Sequence, residues 1–170
     1  MSTDYENTLL EVEAPEREEE EDIEYLLEWS SYQNVLESAL SAYREWFLKL
    51  RKKSTHHQDL DTVAFCKERI KSLNNFIHVL YNGYITVDDI KEDNDYDSFI
   101  ELMSHYWNRQ LVLSALNFYA EKLLKLKKKA SKNNDKYTSN YCVSHVRYCK
   151  ELESALEHKF IDIGNDEIPF

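Results

Sequence analysis

Residues 38–54, SALSAYREWFLKLRKKS, recur without a gap at 114–130 as SALNFYAEKLLKLKKKA, and this constrains the fold more than any other feature. At the shift of 76 positions (38 to 114), Ser38, Ala39, Leu40, Tyr43, Glu45, Leu48, Lys49, Leu50, Lys52 and Lys53 meet identical residues. The register holds further on: Asp59, Thr62 and Cys66 meet Asp135, Thr138 and Cys142, and Ile70 meets Val146. Matched Lys, Leu and Ala are common in helical sequence. Gapless matches at Asp, Thr and Cys are not, so the pattern predicts an internal duplication.

Each copy reads as an αα-hairpin. The sequence holds two Gly and two Pro in 170 residues, and its apolar residues fall at helical spacing, which predicts an all-α chain. A first helix is expected over 22–53, with Ile23, Leu26, Leu27, Val35, Leu36, Ala39, Leu40, Tyr43, Phe47 and Leu50 on one face. A break at 54–57 precedes a second helix, capped by Asp59 or Asp61 and ended by Asn82-Gly83. A third helix is expected over 98–129, opened by a Ser98/Glu101 capping box, and a fourth from Asp135 to about residue 160. Four helices with short hairpin loops predict an up-down-up-down four-helix bundle, with a flatter pair of stacked hairpins, as in helical solenoids, as the alternative. The domain plan is thus an acidic disordered tail over 1–21, hairpins over 22–83 and 98–160, a linker over 84–97 with room for one short helix, and a tail over 161–170.

Charge is unevenly placed. Residues 1–24 hold eleven of the 32 Asp and Glu against Arg17 alone, so the rest of the chain is close to neutral. Three cysteines, Cys66, Cys142 and Cys149, without a CxxC pair point to reduced thiols in a cytoplasmic setting. No apolar run approaches the ~20 residues of a membrane-spanning helix, so no membrane partner is expected.

Basic residues gather at the hairpin tips: Lys49, Arg51, Lys52, Lys53 and His56 at the first, and Lys125, Lys127, Lys128, Lys129, Lys132 and Lys136 at the second. In an aligned bundle these would form one basic pole able to contact phosphates. Cations at helix C-termini also offset the macrodipole, which accounts for part of the enrichment.

Arg51-Lys52-Lys53-Ser54-Thr55-His56 resembles the Arg-x4-His signature of HEPN-type ribonucleases. The resemblance covers six residues, and Lys52 departs from the small polar residue usual after the Arg. It implies metal-free RNA cleavage, with Arg51 stabilising the scissile phosphate and His56 acting in proton transfer.

Cys142, His145 and Cys149 share a helical face, but the two thiols lie about 10.5 Å apart along the axis, too far for one zinc. The paired Glu-x-x-His of di-metal bundles, phosphate-binding Gly loops and nucleophile motifs are missing. The expectation is therefore no cofactor, no metal and no catalytic residue.

The aromatic surplus points elsewhere. Trp29, Trp46, Trp107, Tyr32, Tyr106 and Phe118 exceed what a narrow core stripe takes up, and Trp46 has Lys122 as its repeat counterpart. Exposed Trp and Tyr are the residues that dominate binding hot spots. The three Trp with Tyr32 and Tyr106 are the five expected partner-binding residues. Lys49, Arg51, Lys52, Lys53, Lys127, Lys128, Lys129 and Lys132 are the alternative, a nucleic-acid contact. The reading is a non-enzymatic interaction protein, a small regulator or inhibitor of a larger protein or nucleoprotein complex, of a kind that viruses and mobile elements encode. RNA or DNA binding through the tips is the alternative and a divergent ribonuclease the third reading; a homo-oligomer is compatible with all three.

Overall fold

The computed structural model describes residues 22–85 and 97–161. The acidic segment 1–21, most of the linker with its expected short helix, and the C-terminal tail lie outside them. Among the described residues there are six helices and no strand: α1 (Ile23–Leu26), α2 (Ser30–His56), α3 (Leu60–Ile85), α4 (Asp97–Met103), α5 (Tyr106–Lys132) and α6 (Lys136–Lys159).

The expected first and third helices are each cut in two. α1 stops before Trp29 and α4 before His105, two residues that are themselves 76 apart and take the extended conformation that opens the next helix. The cause is visible at the break. Gln33 Nε2 donates to the Leu27 carbonyl at 2.6 Å, and its counterpart Arg109 donates through Nη1 to the Met103 carbonyl at 2.9 Å. A side chain from the first turn of the long helix thus satisfies the carbonyl left free where the short helix ends.

The two hairpin tips are also built alike. The Asp59 N–H reaches the Ser54 carbonyl at 2.9 Å, and the Asp135 N–H reaches the Ala130 carbonyl at 2.8 Å. Gln58 and Asn134 sit in the left-handed region at φ 58° and 56°. This is the Schellman arrangement that closes a helix. Asp59 and Asp135 then open the next helix, each accepting from the backbone N–H and the hydroxyl of Thr62 or Thr138. The long helices therefore run on to His56 and Lys132, three residues past the expected ends. α3 continues through Gly83 to Ile85, because a glycine inside a helix costs only about 1 kcal/mol and does not by itself end it.

Burial follows the same shift. Leu36, Ala39, Leu40, Phe47, Cys66, Leu73, Phe76 and Leu80 are buried, and so are Val112, Ala115, Leu116, Leu123, Cys142, Cys149, Leu152 and Leu156. The cysteines are small apolar core residues; burial pushes all three thiols up, Cys149 to about 12.

The packing of the halves departs from the expected ring of four aligned helices. α2 touches three long helices, α3, α5 and α6, whereas α3 packs chiefly on α2 and α4. Lys150 on α6 bonds Asn117 on α5, so this stretch of the second hairpin is one level. Tyr32 on α2 meets Tyr148 and Glu151 of α6, while Tyr43 and Trp46 of the same helix meet Phe118 of α5. Moving along α2 therefore leads across the second hairpin rather than along it. At the crossing the Tyr43 phenol lies near Ser114 and the Tyr119 phenol near Ser38, a reciprocal pairing of equivalent residues. Burial raises both phenols, Tyr119 to about 12.

Candidate functional site

The crossing leaves an aromatic junction on the first half. Tyr43 stacks on Trp46 with centroids at 5.9 Å and planes at 15°. Trp46 also meets Phe47 at 5.0 Å and Phe118 at 6.0 Å, and Phe47 meets Phe65 at 6.1 Å. Three helices thus contribute to one set of rings: α2, α3 and α5. Phe47 is buried, but Trp46 and Phe65 remain 43% and 47% exposed. The Arg69 guanidinium lies 4.5 Å above Phe65, and the Lys122 ammonium lies 5.7 Å from Phe118. The result is an apolar surface edged by two cations, with each ring packed against at least one other.

The other aromatics expected at a binding surface are not gathered with it. Trp29 and Trp107 are 55% and 63% exposed, each beside a tyrosine, Trp29 at the break before α2 and Trp107 in the first turn of α5. Tyr32 is packed against the core, its hydroxyl donating to Glu151, and so serves the join between the halves. Tyr106 is half-buried beside the Arg109 guanidinium. Of the five residues expected from sequence, only Trp46 lies in the junction. Sequence reasoning missed Phe65 and Arg69, although their counterparts Tyr141 and His145, four residues apart, form a ring stack of their own at 3.8 Å.

The basic residues do not form one pole. Because α2 crosses the second hairpin, its tip and the tip of α5 and α6 extend from the crossing in different directions. Lys49, Lys52 and Lys53 are exposed at the first tip and Arg51 is half-buried. At the second, Lys127, Lys128 and Lys132 line an open depression with Leu124 and Ser131, all from α5. Leu124 is 48% exposed there, while its counterpart Leu48 packs against the core.

Arg51 and His56 both lie within α2. Five residues along one helix turn the side chains about 140° apart, so they face different sides. His56 instead lies edge-on to His57 at 5.5 Å. On α6, Cys142 and Cys149 are buried, and His145 directs Nδ1 to the Tyr141 carbonyl at 2.9 Å. Burial lowers the His145 pKa, with that hydrogen bond opposing it. Among the described residues no three His, Cys, Asp or Glu side chains are grouped to hold a metal, and no helix is long and apolar enough to cross a membrane.

Compared with protein-family models, with curated proteins and with solved structures, the chain matches none.

Proposed function

We propose that this chain is a non-catalytic interaction protein, a small cytoplasmic regulator or inhibitor that docks on a larger protein or nucleoprotein complex through the junction around Trp46. One observation supports the reading above the rest. Two large rings, Trp46 and Phe65, stand nearly half exposed on a base of buried and half-buried rings, Tyr43, Phe47 and Phe118, supplied by two helices. Such a surface loses little side-chain freedom when a partner covers it, which is what makes aromatic anchors effective.

The test is capture of the partner from extracts of the native host with the full chain, followed by titration of the purified pair. Trp46→Ala is expected to weaken binding by about 2 kcal/mol, roughly thirtyfold in Kd. Changing Lys52 and Lys53 together to Ala should act mainly on the association rate. Equal affinity of Trp46→Ala and the parent chain would reject the junction as the docking site.

A second reading rests on the lysine-lined depression of α5. If the partner is a nucleic acid, each lysine that neutralises a phosphate adds roughly 0.7–0.9 to the slope of log K against log salt. Replacing Lys127, Lys128 and Lys132 would then flatten that slope and leave Trp46→Ala without effect.

A further inference from the structure

We infer that the depression at the second hairpin tip receives the acidic N-terminal segment of the same chain. The tip concentrates charge: Lys125, Lys127, Lys128, Lys129, Lys132 and Lys136 fall within twelve positions (125 to 136) with no acid before Asp135. Three of these lysines follow Leu124 along one face of α5, and Leu124 is a large apolar side chain left 48% exposed. A ligand that fits carries carboxylates and at least one apolar side chain. Residues 1–21 carry nine carboxylates against Arg17, and within them Leu9, Leu10, Glu11, Val12 and Glu13 alternate the two kinds.

The chain can make the connection. Lys159 Nζ contacts Glu24 Oε1 at 2.8 Å and Asp22 Oδ1 at 3.8 Å, which places the end of the segment at the C-terminus of α6. The depression lies toward the other end of that helix, whose 24 residues span about 36 Å. From Asp22 back to Leu10 is twelve residues, which reach about 40 Å when extended. Residues 11–21 would cover the distance and bring Leu9 and Leu10 to Leu124, with Glu11 and Glu13 close to the lysines.

The first tip is the poorer receptor. It has four cations, and Leu48, the counterpart of Leu124, is packed against the core. An intramolecular occupant also bears on any outside ligand of the second tip, because a polyanion there must first displace nine carboxylates. Trp46 takes no part, so the aromatic junction and this contact stand or fall separately.

The experiment uses the full chain with Thr8→Cys carrying a nitroxide; the three native thiols are buried and stay unlabelled. Amide signals of residues 124–136 should broaden at about 0.01 M salt, where charges act over about 30 Å, and recover at about 1 M, where they act over about 3 Å. The triple change Lys127→Glu, Lys128→Glu, Lys132→Glu should abolish the broadening. Adding Asp4→Lys, Glu6→Lys, Glu11→Lys and Glu13→Lys to that triple variant should restore it. Broadening centred on 49–60 or on the Trp46 junction, or none on the tip, overturns the assignment. Broadening seen only when labelled chains are mixed with isotope-enriched unlabelled ones assigns the occupant to a second copy and overturns it equally.

Discussion

The two halves of the molecule share a framework and differ on its surface. Extended backbone at Trp29 and His105, left-handed turns at Gln58 and Asn134, and Asp caps on Thr62 and Thr138 fall at one shift. Where the halves diverge, the change is from one kind of contact to another. Trp46 and Phe65 in the first half face Lys122 and Tyr141 in the second, which turns a ring junction into a charged helix face beside a Tyr–His stack. Tyr32, which locks α2 onto α6, faces Asn108, and its partners Tyr148 and Glu151 face Ser72 and Asn75. The small polar trio cannot repeat that lock, and α5 is correspondingly less engaged with α3 than α2 is with α6. Core and turn positions are constrained by geometry that both halves need. Surface positions carry different chemistry in the two halves, so function is to be sought where the halves disagree.

The largest effects should come from equivalent core positions. Phe76 and Leu152 are both almost fully buried, 76 residues apart. Phe76→Ala is expected to cost about 3–5 kcal/mol and Leu152→Ala about 2–5 kcal/mol. Both should shift one common unfolding transition in denaturant, because α2 packs on the hairpin of the other half. Two separate transitions would break the picture of a shared core.

Next in size are the residues that close the helix breaks. Arg109 is 3% exposed, bonds the Met103 and Ser104 carbonyls, and lies 5.0 Å from the centroid of Phe160. Arg109→Ala leaves buried acceptors unpaired at about 1–3 kcal/mol each. Arg109→Gln, which copies Gln33, should recover part of that loss in the same denaturation experiment. Gln33→Ala, at a wetter site, should cost less than Arg109→Ala.

The smallest effect concerns Glu153, whose counterpart is Ile77. One of its carboxylate oxygens is buried without a hydrogen-bond partner, and burial raises its pKa, with Lys150 opposing. A raised carboxyl pKa means the folded state favours the protonated form, so this contribution to stability is present at acid pH and lost as pH rises through the folded pKa. Glu153→Ile is therefore expected to raise the stability at neutral pH by about 1 kcal/mol. That gain should shrink below the ordinary glutamate range, as thermal melts across pH would register. A gain independent of pH would mean that packing, not charge, separates the two residues.

Much of this framework was legible in the sequence because it rests on short-range chemistry. Asp59 and Asp135 each stand three residues before a threonine, and the gapless register carried the hairpins with it. The helix breaks left a fainter mark. A helix continued from Leu27 would turn Ser30, Ser31 and Asn34 toward the core, and that polar interruption of the apolar stripe is the signal for the break at Trp29. The turns at Gln58 and Asn134 gave none through glycine, since a left-handed residue there is held by the Schellman bonds around it. The crossing of the hairpins was illegible, because periodicity fixes which face is buried and says nothing of the angle at which two faces meet. Phe65 was hidden for the same reason: it lies one residue from buried Cys66, and only the position of α2 shows that Phe47 meets its ring. Trp46 could be read because the repeat supplied its own contrast in Lys122.

Hydrogen exchange of the chain alone and in complex with the partner that it captures tests the central claim most directly, since it reports which half is covered. The amides of 43–50 and 62–69, with those of 115–122, should gain protection, while the equivalent 138–145 exchanges as in the free chain. Protection confined to the two lysine tips, or spread equally over both halves, would contradict the assignment of docking to the Trp46 junction.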